Sequence, residues 1–327
     1  MAKKQWRSLM IGGALLVVAA VLLLPVFIKD WAGDKEKPEE MTIQLIVRTS
    51  GGDYWTNVMM GAEAAVKEFG VTMHVSAPEG EADVEGQLAK AMRTLDTNPD
   101  AVVLGANEDE AFAPFLAEAE KRGIPVIAID SLLASGKTAA YVGTDNVAAG
   151  QDAAHKMAEL LHGEGDVVVM NSGMGGINGR LRAQGIEQAL ASYSGIRTEE
   201  LSCAGDAADC RKQVAALLQR QDVNGIITLN TPSSEGAAIA LKEHGAGGKV
   251  KLVGFDSSPE LLELLQEEQI QALVVQNPFT IGYLGVKYAV LAADGERVPE
   301  RTELARKLIE KDNMFWRENQ KLLFPVV

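Results

Sequence analysis

Cysteine is nearly absent: the 327 residues include two, Cys203 and Cys210, both in the second half. No cysteine therefore stands near the N-terminus to carry a lipid, and no cluster exists from which to build a thiolate metal cage. Histidine is also sparse, and His74, His155, His162 and His244 are scattered without metal-ligating spacing. No serine, cysteine or histidine sits in a recognisable nucleophile motif, so no covalent catalysis, metal or cofactor is expected. Basic side chains are outnumbered, 31 against 45 acidic ones, for a net charge of −14. That deficit excludes nucleic acid, where affinity comes largely from Lys and Arg neutralising phosphates. Aromatic residues make up only 5% of the chain, yet Tyr54 and Trp55 stand together in "TSGGDYWTN". Their placement after two glycines, between a strand-like run and a helical one, predicts a loop tip exposed into a cleft.

The first 40 residues differ from the rest. "MAKKQWR" is basic, and an uncharged apolar run follows from Leu9 to Ile28. As a helix that run is roughly 30 Å long, the thickness of a bilayer's hydrocarbon core. It predicts a transmembrane helix, with the preceding positive charge holding the N-terminus in the cytoplasm. The competing reading, a cleaved signal peptide, expects a shorter apolar region ending at small residues. "KDWAGDKEKPEE" reads as a polar tether, placing everything after Met41 outside the cytoplasm as a single-pass, membrane-attached domain. In that oxidising compartment an even cysteine count permits a Cys203–Cys210 disulfide, the alternative being two small unpaired side chains.

From Thr42 onward, short apolar segments ("IQLIVR", "VTMHVS", "AVVLGA", "IPVIAI", "AAYVGT") alternate with stretches of helical period. This pattern predicts an α/β fold with parallel sheets covered on both faces. The scheme then repeats. Measured from Ile43 and from Val167, Gly61 and Gly185 share one offset, as do "DAVVLGA" (100–106) and "NGIITLN" (224–230), while Asp130 and Asp256 agree to within two residues. Two similar Rossmann-like lobes are the simplest account.

Ligands of such sheets bind beyond the carboxyl ends of the strands. There the sequence puts Arg48, Tyr54, Trp55 and Asp130 in the first lobe, and Arg180, Asn230, Asp256 and Gln276 in the second. Amides, carboxylates and guanidinium groups bond hydroxyls, and flat rings stack on C–H faces, as a sugar or polyol pocket requires. Bland readings compete. Tyr54 and Trp55 would serve as a hydrophobic staple, and Asp256 as a helix cap, although Ser257 and Ser258 lie closer to "PELLELLQEEQ". Asn230 would shape the turn before Pro232, and Gln276 a hinge before Pro278. "SGMGGINGR" approximates G-x-G-x-x-G but has Asn178 at the third glycine, too weak a match for a dinucleotide site.

Taken together, "IQLIVRTSGGDYWTNVMMGAEAAVKEFG", "IPVIAIDS", "YVGTDNVAAG", "GRLRAQG", "IITLN", "LVGFDSSPE" and "VVQNPFTIGYLGV" resemble the ribose- and galactose-type (type I) periplasmic sugar-binding proteins of bacterial ABC transporters. The resemblance runs from about Thr42 to the C-terminus. It implies two lobes joined by three crossovers, near Thr144–Asp145, Gln276–Asn277 and Ala305. Residues 41–144 and 277–305 would form the N-terminal lobe, and 145–276 and 306–327 the C-terminal lobe, after the anchor and tether of 1–40. It implies that Tyr54 and Trp55 sandwich a sugar ring, that Asp130 and Asp256 accept hydroxyl hydrogen bonds, and that Arg180, Asn230 and Gln276 add polar contacts. Arg48 matches a strand-end position that varies with the sugar. Of the two neighbouring arginines, Arg180 rather than Arg182 matches the family position. Gly52 and Ser131 stand where ribose binders carry asparagine and arginine, so the polar complement is altered. The implied protein is a monomer that delivers a sugar to an ABC permease or, alternatively, presents sugar occupancy to a membrane histidine kinase or chemoreceptor.

Overall fold

The computed structural model describes residues 40–172, 176–203, 205–220 and 222–324, and residues 41–327 form one compact unit. The expected membrane helix at Leu9–Ile28 lies outside the described residues. Among the described residues, no helix is long and apolar enough to cross a membrane.

The first sheet is built from β1 (Thr42–Ile46), β2 (Thr72–Ser76), β3 (Ala101–Leu104), β4 (Val126–Asp130) and β5 (Ala140–Gly143). They are connected by α1 (Asp53–Phe69), α2 (Val84–Leu95) and α3 (Ala113–Arg122). All these strands pair in parallel, and β1, β3, β4 and β5 are almost wholly buried, as runs such as "VIAI" covered on both faces must be. The chain then leaves. Asp145 accepts a hydrogen bond from the Ala148 amide and so caps α4 (Asn146–Leu160), which packs on the second sheet.

The second sheet repeats the plan with β6 (Glu164–Ser172), α5 (Ile177–Leu190), β7 (Gly195–Cys203), α6 (Ala207–Leu217), β8 (Gly225–Thr228), α7 (Thr231–Glu243), β9 (Lys251–Phe255), α8 (Pro259–Gln266) and β10 (Ala272–Val275). At the second crossover Asn277 caps α9 (Pro278–Ala293), which returns to the first sheet and packs against α1. Last come β11 (Arg301–Glu303) on the first sheet, β12 (Lys307–Ile309) on the second, and α10 (Arg317–Leu323). The strand orders are β11-β5-β4-β3-β1-β2 and β12-β10-β9-β8-β6-β7, and β12 alone among the described strands runs antiparallel. Every crossover therefore lies toward the β5–β11 and β10–β12 edges, and β2 and β7 form the far edge.

Internal symmetry reaches the helix contacts. A Cβ on Gly61 would strike the Phe279 carbonyl, and one on Gly282 the Val58 carbonyl, so α1 and α9 touch backbone to backbone. Gly185 against Val147 and Gly150 against Arg182 do the same for α5 and α4. The shared offset of Gly61 and Gly185 thus has a packing cause. Cys203 and Cys210 are joined by a disulfide with Cα atoms 4.9 Å apart, tying the end of β7 to the first turn of α6.

Candidate functional site

Both sheets point their carboxyl ends at a single cavity of about 920 Å³. Asp130 ends β4 at φ 63° and Asp256 follows β9 at φ 68°, both in the left-handed region. That conformation costs a non-glycine residue about 1–2 kcal/mol. Each lobe holds an aspartate in the same strained turn at the mouth of its sheet, and such strain collects at functional positions.

Asp130 is the most heavily bonded group in the cleft. Tyr54 Oη donates to its Oδ1 at 2.6 Å, and Asn178 Nδ2 donates to Oδ2 at 2.9 Å. Arg48 approaches the same Oδ2 at 3.3 Å and also donates to Ser131 Oγ and to the Ala106 carbonyl. Burial pushes the Tyr54 phenol well above its ordinary range, and the Asp130 charge adds to the effect, so Tyr54 remains a donor. Burial works to lower the Arg48 pKa, but the Asp130 and Glu81 carboxylates outweigh it and the guanidinium stays charged. Opposite, Asp256 accepts from Gln276 Nε2 at 2.7 Å and from Thr231 Oγ1 at 2.9 Å. A carboxylate offers roughly four acceptor sites; Asp256 keeps capacity for ligand hydroxyls, whereas Ser131 Oγ also donates to Asp130 Oδ2 at 3.3 Å, so Asp130 keeps capacity only on Oδ1.

Arg48, Tyr54, Trp55, Asp130, Asn230, Asp256 and Gln276 all line the cavity. Arg180 does not. It is 54% exposed and pairs with Glu108 across the cleft at 3.4 Å. The guanidinium that α5 brings to the wall is Arg182, 3% exposed, which donates to Asn146 Oδ1 at 2.8 Å and to the Leu229 carbonyl at 2.6 Å. Its charge lies 4.4 Å from the centre of the Phe255 ring, a stabilising cation–π contact. Helical spacing carried the signal: Asn178, Arg182, Ile186 and Ala189 share one buried face of α5, and Arg180 lies off it.

The aromatic pair also differs from expectation. Tyr54 and Trp55 occupy the first turn of α1 rather than a loop tip, and Trp55, 4% exposed, belongs to the first lobe's core. Trp55 fits because Gly105 offers no Cβ, which would press on the edge of the indole. The two rings meet edge to face at 5.4 Å. The cap readings resolve separately. Ser258 caps α8, leaving Asp256 to the cleft, whereas Asn230 caps α7 through a capping box with Ser233 and lines the cavity as well. Asn178 was missed by sequence reasoning because it was weighed only as a broken glycine motif.

Two lobes with paired aspartates, amides, an arginine and a ring facing one interlobe cavity define a bilobal solute-binding protein. A family model for the periplasmic binding protein domain matches residues 43–297, and the chain belongs to that family, which binds solutes rather than transforming them. Among characterised relatives, the D-allose-binding periplasmic protein of Escherichia coli is 28% identical over 78% of this chain and 85% of its own. The xylitol-binding protein of Mycolicibacterium smegmatis is 28% identical over 71% of this chain and 67% of its own. A solute-binding protein of Agrobacterium radiobacter in complex with D-arabinose superposes with a TM-score of 0.84 at 29% identity, covering 88% of this chain and all of the other.

Proposed function

We propose that this protein binds a neutral sugar or polyol between its lobes, outside the cytoplasm, and delivers it to an ABC permease. The observation that carries the reading is the pair of aspartates, Asp130 and Asp256, held in matching left-handed turns on opposite walls of one cavity. Their carboxylates suit ring hydroxyls, Gln276, Asn178 and Asn230 add amides, and Tyr54 with Trp55 supplies the aromatic side. The allose, xylitol and arabinose binding of relatives supports a polyhydroxylated ligand. Ligand contact is assigned to Arg182 in place of Arg180.

Residues 41–144 with 277–305, and 145–276 with 306–327, act as the two bodies that close on the ligand. The Asn178–Asp130 and Arg180–Glu108 contacts run between these two sets of residues. Closure reshapes the outer surface, which the permease reads. Leu9–Ile28 holds the protein at the membrane as a cytoplasm-facing N-terminal anchor, a role argued from its length and charge alone.

A thermal-shift screen of the full chain against pentoses, hexoses and polyols tests the function. A ligand at 100 times its dissociation constant adds about 2.7 kcal/mol of stability. No stabilisation by any member, with amino acids or nucleosides stabilising instead, contradicts the sugar reading.

A further inference from the structure

The two cleft aspartates are held differently. Asp256 accepts from Gln276 and Thr231, both of the second lobe. Asp130 is met by Tyr54, Arg48 and Ser131 of its own lobe and also by Asn178 of the other. A 2.9 Å bond from α5 to the end of β4 exists only while the lobes lie together. Whatever aims the Asn178 amide therefore also acts on closure.

What aims it is Asn146, the first residue of α4. Its Nδ2 donates to Asn178 Oδ1 and to the Thr144 carbonyl, both at 3.2 Å, and its Oδ1 accepts from Arg182 Nε at 2.8 Å. The bonds form a chain, Arg182–Asn146–Asn178–Asp130, and none of the four residues is more than 6% exposed. The ends of the chain fix its direction. A guanidinium only donates and a carboxylate only accepts, while each amide between them offers one oxygen and one NH2 group. Asn146 must turn its oxygen to Arg182, hence its NH2 to Asn178, and the Asn178 NH2 is left for Asp130. Reversing either amide sets oxygen against oxygen or N–H against N–H in a buried site, where unpaired polar groups are costly.

Asn146 itself does not line the cavity, although Asn178, Arg182 and Asp130 do. It stands where the chain has just left the first sheet for the second. Tyr141 fastens the same passage, its hydroxyl shared between the Asp130 and Thr144 carbonyls at 3.2 Å each. Asn146 is thus placed to act on a ligand through other residues and not by contact.

We propose that Asn146 is a positioning residue: by orienting Asn178 it sets an interlobe latch on Asp130, which keeps part of the unliganded protein closed and lowers the cost of closing on a sugar. The effect on affinity rests on the sugar-binding reading above; the latch does not. The test variant is Asn146→Asp, nearly isosteric, which still accepts from Arg182 but has no donor. Asn178 then pairs only by turning its NH2 away from Asp130, and the latch is lost. Spin labels at Glu85→Cys and Lys212→Cys report lobe separation in the full chain by double electron–electron resonance. Both sites are exposed, on the helices that follow β2 and β7 at the edge farthest from the crossovers. Cys203 and Cys210 are bonded to each other and take no label.

Without ligand, the labelled parent shows a short-distance population that Asn146→Asp and Asn178→Ala each shift to longer distance. Asn146→Asp adds nothing in the Asn178→Ala background. Calorimetry with D-allose, xylitol and D-arabinose shows Asn146→Asp weakening the tightest of them about tenfold, the scale of one charge-assisted hydrogen bond. Equal label distances in all three proteins overturn the latch whatever the ligand is. A further shift by Asn146→Asp in the Asn178→Ala background overturns action through Asn178, and an Asn146→Asp chain that does not fold makes the residue a support of the fold instead. Shifted distances with no sugar bound uphold the latch and overturn the sugar reading alone.

Discussion

In the first lobe the strand ends facing the cleft are fastened by polar side chains, and in the second the corresponding connection is fastened by a covalent bond. Gln87 of α2 donates to the Val47 and Gly105 carbonyls, both at 2.9 Å, and accepts from the Asn107 amide, lashing the ends of β1 and β3 to one side chain. The equivalent strand-to-helix passage of the second lobe carries Cys203–Cys210 instead. The turns bearing Asp130 and Asp256 are nearly superimposable in φ, as are the glycine contacts of the two helix pairs. Backbone shape thus matches in both copies at these turns and helix contacts, whereas the fastening beneath it differs.

Breaking the fastenings gives the largest effects. Gln87→Ala leaves three buried backbone groups unpaired and should destabilise the protein by about 3 kcal/mol, read from urea unfolding. Removing the bridge with Cys203→Ala and Cys210→Ala should cost about 2.5 kcal/mol on the chain-entropy account of so short a loop. Both cysteines must also resist alkylation in unreduced, denatured protein. If the disulfide proved dispensable and Gln87 did too, the strand ends would be held by something other than these contacts.

A second contrast sits within the second lobe. Arg182→Ala removes a buried guanidinium with two hydrogen bonds and a ring contact, and should weaken ligand binding about tenfold or more. Arg180→Ala breaks only a half-exposed ion pair and should shift affinity by no more than about twofold. The reverse order would return the ligand role to Arg180.

The smallest effect concerns charge in the cleft wall at Glu235. Burial raises the Glu235 carboxyl; a Ser258 hydrogen bond opposes this, and Glu260, Asp53 and Asp256 reinforce it. The folded state then binds a proton more tightly than the unfolded chain, so this group costs stability as pH rises above its ordinary value of 4.5. Glu235→Gln should therefore melt slightly above wild type at pH 7, with the gap closing toward pH 4. A gap that widens on acidification would reverse the sign of the argument.

Much of this was legible in the sequence. Central strands such as "AVVLGA" and "IPVIAID" are apolar because both faces are covered, so the sheets, the repeat and the two aspartates at their ends could be read directly. Three of the four edge strands could not. β7, "GIRTEELSC", is largely exposed and pairs on one side only, so its residues are charged and carry no strand signal. β11 and β12 have three residues each, too few for any periodicity. Trp55 was misjudged because adjacency to glycines suggested a loop, whereas the glycine that matters is Gly105, distant in sequence and directly beneath the ring.

The central claim is that one ligand is held by matching aspartates from both lobes. Calorimetry on wild type, Asp130→Ala and Asp256→Ala with the sugar that gives the largest thermal shift tests it most directly. Each variant loses charged hydrogen bonds worth about 1.5–3 kcal/mol, so each should bind about tenfold or more weakly while remaining folded. Unchanged affinity in both folded variants would show that the ligand is held elsewhere.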